Sequence, residues 1–130
     1  MNRRIATFDD FRDAITTYRL PRVLIAAIEL NLFTGIGTDT WTIPDLAREM
    51  KLSERGLAIL CRNLAMAGLL KKRGETYRNS RLAATALNAH HPDYRGEYLS
   101  LITRHWADWG RLPESVKTGL PLDHDEPDER

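Results

Sequence analysis

The amino-acid sequence predicts a mainly α-helical fold: a winged helix-turn-helix with a small β-hairpin wing, extended by extra helices at its N- and C-terminal ends. Three observations predict it. Apolar residues recur at spacings of three and four along most of the chain, which is the helical period. Residues 41–68 hold two short helices opened by the same capping pattern. After Gly68 the period changes to that of two short strands around a glycine turn.

Phe8, Phe11, Ile15 and Tyr18 place a first helix at 8–19, with Asp9 and Asp10 where the dipole of a starting helix favours acids. Leu20-Pro21 should stop it and open a second helix to about Leu32, because proline suits a first turn but disfavours helix in the residue before it. Leu20, Val23, Leu24, Ala27 and Ile28 share one side of that helix, and Gly35 and Gly37 then mark a loop. Thr42 caps a third helix, with Asp45 three residues on and Trp41 and Leu46 as a hydrophobic staple. Ser53 caps a fourth between the staple residues Leu52 and Leu57, and Gly68 closes it. Leu69–Lys72 and Thr76–Asn79 flank Arg73-Gly74-Glu75 as a hairpin, and Ser80 caps a brief helix through Leu87. From Asp93 the longest stripe follows: Tyr94, Tyr98, Leu101, His105, Trp109, Leu112 and Val116, with Pro113 expected to kink or divide the helix near Gly110. The domain is expected to span residues 1–120, with 121–130 a polar, disordered tail or the start of a linker.

Composition bounds the function. The 130 residues are 42% hydrophobic and 28% charged, enough for one core without disulfides or metal. The single Cys61 fits a reducing compartment, and the start Met1-Asn2-Arg3-Arg4 lacks the apolar stretch of a secretory signal, so a cytoplasmic protein is expected. The longest apolar run, Val23–Ile28, is far short of the ~20 residues that cross a bilayer. A net charge of +1 hides an asymmetry, with 14 Lys/Arg against 9 Asp/Glu in residues 1–92 and 5 against 9 after them. The total does not advertise nucleic acid.

Leu20–Phe33 (LPRVLIAAIELNLF) resembles the opening of the N-terminal dimerisation domain of SAM-dependent O-methyltransferases of the plant caffeate and bacterial antibiotic-tailoring type. Thr42–Ala47, Leu60–Leu64, Ala67–Leu70, Tyr77, Trp109, Leu112 and Val116–Gly119 continue the match in order, over roughly residues 8–120. The resemblance implies a homodimer whose first two helices and long last helix intertwine with a second copy. Its interface candidates here are Phe8, Phe11, Ile15, Tyr18, Val23, Ile28, Tyr98, Ile102, Trp109, Leu112 and Val116, with Phe8 and Phe11 placed to reach into the partner's pocket. It also implies that the last helix lines an acceptor pocket for a small hydroxylated aromatic or polyketide-like molecule, through Leu99, Ser100, Thr103, His105 and Trp106. S-adenosylmethionine is implied for the parent enzyme but not for this chain. Gly35-Ile36-Gly37 has Thr40 where a third glycine belongs and does not follow a strand, so the chain reads as an excised or truncated domain that is not catalytic alone.

Physical reasoning gives the same partner, because the amphipathic helices outside the winged-helix core need a surface to cover them. The competing reading is a DNA-binding regulator in which the fourth helix offers Arg55, Ile59, Arg62 and Asn63, and Lys71, Lys72 and Arg73 form a basic wing. Against it stand Glu54 at the phosphate end and few base-edge donors; Arg62 reads better as a partly buried structural arginine. His90-His91 and Asp123-His124-Asp125-Glu126 read as solvated groups and not as metal ligands. His105 is expected to be a hydrogen-bonded interior residue, and Cys61 a packing residue.

Overall fold

The computed structural model describes residues 4–122. The elements are α1 (Phe8–Ile15), a 3-10 turn (Thr16–Tyr18), α2 (Arg19–Glu29), α3 (Leu32–Ile36), β1 (Trp41–Thr42), α4 (Ile43–Met50), α5 (Glu54–Met66), β2 (Leu70–Arg73), β3 (Thr76–Asn79), α6 (Arg81–Ala86), α7 (Gly96–Trp109) and α8 (Leu112–Thr118). The residues fall into two compact units, one up to Gly96 and the other from Glu97.

Local chemistry explains most of these boundaries. Thr7 and Asp10 form a reciprocal capping box on α1: Thr7 Oγ1 accepts from the Asp10 amide and Asp10 Oδ2 accepts from the Thr7 amide, both at 3.1 Å. Amide donors from Ala6 and Thr7, with the Thr7 hydroxyl, hold the Asp10 carboxyl below its ordinary pKa. Thr42, Ser53 and Ser80 cap α4, α5 and α6 in turn, each accepting from the amide three residues on. Gly68, at φ 88°, ends α5, and the Leu69 amide donates back to Leu64 O at 2.9 Å. The hairpin turn is the pair Gly74-Glu75, with glycine at the position that needs positive φ (57°).

The sheet order is β1-β3-β2, antiparallel throughout, with Trp41 opposite Tyr77, Leu70 opposite Asn79 and Lys71 opposite Arg78. Helices, a first strand, two angled helices and a hairpin that pairs with the first strand make a winged helix. Its core gathers Ala27, Leu32, Phe33, Ile36, Leu46, Ala47, Leu57, Cys61, Leu64, Leu70, Tyr77 and Ala83. The Trp41 indole donates to Ile36 O at 3.0 Å, and the Asn79 amide donates to Phe33 O and Gly37 O at 2.9 Å each, so strands β1 and β3 are both pinned to α3.

Four expectations are corrected. The first break falls at the 3-10 turn and not at Leu20-Pro21; Pro21 lies within the first turn of α2, where amide donors have no helical partner to lose. The segment read as a loop at Gly35 is helix α3, set off from α2 by Asn31 in the left-handed region (φ 57°), a conformation asparagine tolerates. That helix carries three of the largest buried side chains, Phe33, Leu32 and Ile36. The second helix is part of the core through Ile25 and Ala27 and does not stand wholly outside it. The long helix begins at Gly96, not Asp93, and is divided by Gly110-Arg111, with Pro113 in the first turn of α8.

Candidate functional site

Three helices present apolar side chains that stay exposed among the described residues. α1 has no buried residue: Phe8 is 72% exposed, and Phe11, Ile15 and Tyr18 beyond it are also exposed. The Phe8 and Phe11 rings lie 5.9 Å apart at a 33° tilt. α7 and α8 have no buried residue either, and Trp109 is 70% and Val116 74% exposed, with Tyr98, Leu101 and Leu112 also exposed. Val23 and Ile28, on α2, are half-buried and pack on the core, so only part of each is left for another surface.

At about 100° of rotation per residue, α7 carries two adjacent stripes. Leu99, Ile102, Thr103 and Trp106 share one, and all four are half-buried. Tyr98, Leu101, His105 and Trp109 share the next, and all are exposed. The helix thus brings together three of the five candidate pocket residues, Leu99, Thr103 and Trp106, whereas Ser100 and His105 lie on other sides of it. His105 is exposed and not interior, because it falls on the outward stripe. The Thr103 hydroxyl donates to Leu99 O at 2.9 Å within its own helix.

The buried chemistry of the winged helix is structural. Cys61 is enclosed among leucines, and desolvation pushes its thiol up to about 11, which makes it a packing group and not a nucleophile. Desolvation also raises the Tyr77 hydroxyl, aided by Cys61 and opposed by Arg62. Arg62 is exposed on the outer side of α5, which corrects its reading as a partly buried arginine; Leu57, Cys61 and Leu64 fill the inner side and leave no room for it. The Lys72 ammonium stands 5.8 Å from the Tyr77 ring and donates to Gly74 O at 2.6 Å.

An apolar cavity of about 270 Å³ that sequence reasoning missed lies where the C-terminal end of α2 meets the start of α5, lined by Leu30, Leu52, Ser53, Gly56, Leu57 and Leu60. Its walls come from segments more than twenty residues apart, and no local pattern announces it. It is slightly smaller than the usual range for small-molecule sites. Among the described residues no group of three or more His, Cys, Asp or Glu comes together, and no helix is long and apolar enough to cross a membrane. His91 Nδ1 accepts from the Asp93 amide at 3.0 Å. The acidic run from Asp123, like most of the tail, lies outside the described residues.

The residues do not fit an S-adenosylmethionine site. Gly35 lies within α3, where a Cβ would stand 2.5 Å from Met50 Sδ, so its missing side chain makes room for packing. Gly37 ends that helix at φ 61°. Neither glycine stands between a strand and a helix as a nucleotide loop requires.

Comparison with known proteins agrees with this geometry. The model of the O-methyltransferase dimerisation domain matches residues 13–89, more than half of the chain. The 3-hydroxy-5-methyl-1-naphthoate 3-O-methyltransferase of Streptomyces sahachiroi is 35% identical over 101 residues, 77% of this chain and 29% of that protein. The tetracenomycin polyketide synthesis 8-O-methyl transferase of Streptomyces glaucescens is 37% identical over 100 residues, 75% of this chain and 30% of that protein. An O-methyltransferase family protein from Burkholderia thailandensis superposes with a TM-score of 0.75 at 29% identity, over 87% of this chain and 34% of that one. Human N-acetylserotonin methyltransferase, solved in complex with SAM, shares the fold with a TM-score of 0.70 at 24% identity, over 92% of this chain and 37% of that one. This chain belongs to the O-methyltransferase dimerisation-domain family. It spans about a third of the length of the relatives it matches, and the remainder of those proteins has no counterpart in these 130 residues.

Proposed function

We propose that this chain is the homodimerisation and acceptor-pocket module of a SAM-dependent O-methyltransferase. The observation that carries the reading is the row of exposed aromatic and aliphatic side chains on α1, α7 and α8 in a chain of the dimerisation family. A second copy covers these faces, with Phe8, Phe11, Ile15, Tyr18, Tyr98, Ile102, Trp109, Leu112 and Val116 at the seam and Val23 and Ile28 contributing their outer edges. Aromatic side chains suit such a seam because they bury large area at little entropic cost. The domain proper spans residues 1–120; residues 123–130 lie outside the described residues.

Leu99, Thr103 and Trp106 form the wall offered to the acceptor, and Ser100 and His105 reach it only at its margins. One Streptomyces relative is named for a hydroxylated naphthoate and the other for tetracenomycin polyketide synthesis, which supports a small hydroxylated aromatic or polyketide-like acceptor. The wall's contribution is positional: it holds the acceptor in a dry, fixed orientation. S-adenosylmethionine supplies the methyl group in the parent enzyme, from a segment these residues do not contain.

Mixing donor- and acceptor-labelled chains at micromolar concentration tests the dimer. Energy transfer is expected, and its loss in the Phe8→Asp, Val116→Asp double variant places the seam; transfer that survives both changes contradicts it. For the wall, adding 3-hydroxy-1-naphthoate to the dimer should shift the side-chain resonances of Leu99, Thr103 and Trp106 in the millimolar range. Resonances that do not move at saturation of the ligand's solubility contradict the assignment.

A further inference from the structure

The outward side of α5 and the hairpin carries a charge the dimer reading does not use. Residues 54–81 hold seven Lys/Arg against two Glu in a chain whose net charge is only +1. On α5, Arg55, Ile59, Arg62 and Met66 share the exposed arc. On the hairpin, residues opposite one another share a face, so the register that sets Lys71 against Arg78 and Arg73 against Thr76 gathers three exposed cations on the outer side. Helix α5 packs against strand β2, which sets its exposed arc beside the hairpin.

Like charges directly opposite in a strand pair destabilise it. Among the described residues no carboxylate pairs with Arg55, Arg62, Lys71, Arg73 or Arg78, whereas Arg12, Arg22, Arg48 and Arg111 each hold one. An anion with regularly repeated charges relieves such an arrangement, and the β1-β3-β2 winged helix sets a helix and a wing side by side as duplex-binding folds do. We propose that this face binds duplex nucleic acid through its phosphates and does not read bases. Base readout is poorly served: the Asn63 amide already donates to Ile59 O at 2.8 Å, and the centre of the exposed arc is apolar. Glu54 and Glu75 flank the face and limit its affinity.

Anisotropy of a labelled 24-base-pair duplex of arbitrary sequence, titrated with the 130-residue protein, tests this. Micromolar binding is expected at 50 mM NaCl, equal for unrelated sequences. With roughly four phosphates contacted, affinity should fall about 100-fold by 200 mM. The Lys71→Glu, Arg73→Glu, Arg78→Glu variant should lose binding while its mass in solution and its helical circular dichroism stay those of wild type. Absence of binding at 50 mM salt, or equal binding by the variant, overturns the proposal. Retention of a polyglutamate peptide with no response to the duplex also overturns it, assigning the face to an acidic protein. Because the mass is read separately, failure here leaves the dimer reading standing.

Discussion

Asn79 ties β3 to the end of α3, because one amide group donates to two carbonyls, Phe33 O and Gly37 O, while 5% exposed. Replacement by alanine removes both bonds and leaves the Gly37 carbonyl without its donor, at a cost of roughly 1–3 kcal/mol. Urea denaturation should show that loss with the slope unchanged; a loss below about 0.5 kcal/mol contradicts the role. Cys61 sets a second expectation. Its folded pKa is raised from 9.0 to about 11, so below pH 9 both states keep the proton and its contribution is whole. Between 9 and 11 the unfolded chain alone ionises, and stability should fall by about 2–3 kcal/mol, less in Cys61→Ala. A wild-type stability that rises or stays flat over that window relative to Cys61→Ala defeats the assignment. Cys61 was legible in the sequence, since leucines flank it at helical spacing. Asn79 was not, because its partners lie 42 and 46 residues away.

Elements whose signals are local were legible. The caps Thr42, Ser53 and Ser80 and the Gly74 turn each bind within three residues, and sequence reasoning places all of them. α3 escaped because Gly35 and Gly37 look like punctuation, yet they serve different ends. Gly35 yields space to Met50, whose thioether can swing aside. Gly37 holds φ 61° and ψ −131°, a region closed to other residues. Gly37→Ala should therefore cost about 1–3 kcal/mol, and Gly35→Ala less, as read by thermal unfolding; the reverse order contradicts this account. β1 is two residues long and exists through its pairing with β3, 35 residues on, so no alternation could announce it.

At the scale of the whole molecule, the long stripe on α7 and α8 was legible as a period, but which side of each helix faces outward required the fold. That orientation separates two effects of Trp109→Ala. The ring is 70% exposed, so unfolding of the isolated chain should change by less than about 0.5 kcal/mol, while dimer dissociation should strengthen at least tenfold if the ring anchors the seam. A large loss of chain stability with unchanged association contradicts this. Calorimetry with S-adenosylmethionine should give no heat beyond dilution, because neither Gly35 nor Gly37 stands in a nucleotide loop; micromolar binding contradicts that reading. The central claim is that exposed helical faces in one copy are covered by another. Sedimentation equilibrium of the wild-type chain at 10 µM tests it most directly: the account predicts a species of about twice 14.9 kDa, and a single species at 14.9 kDa contradicts it.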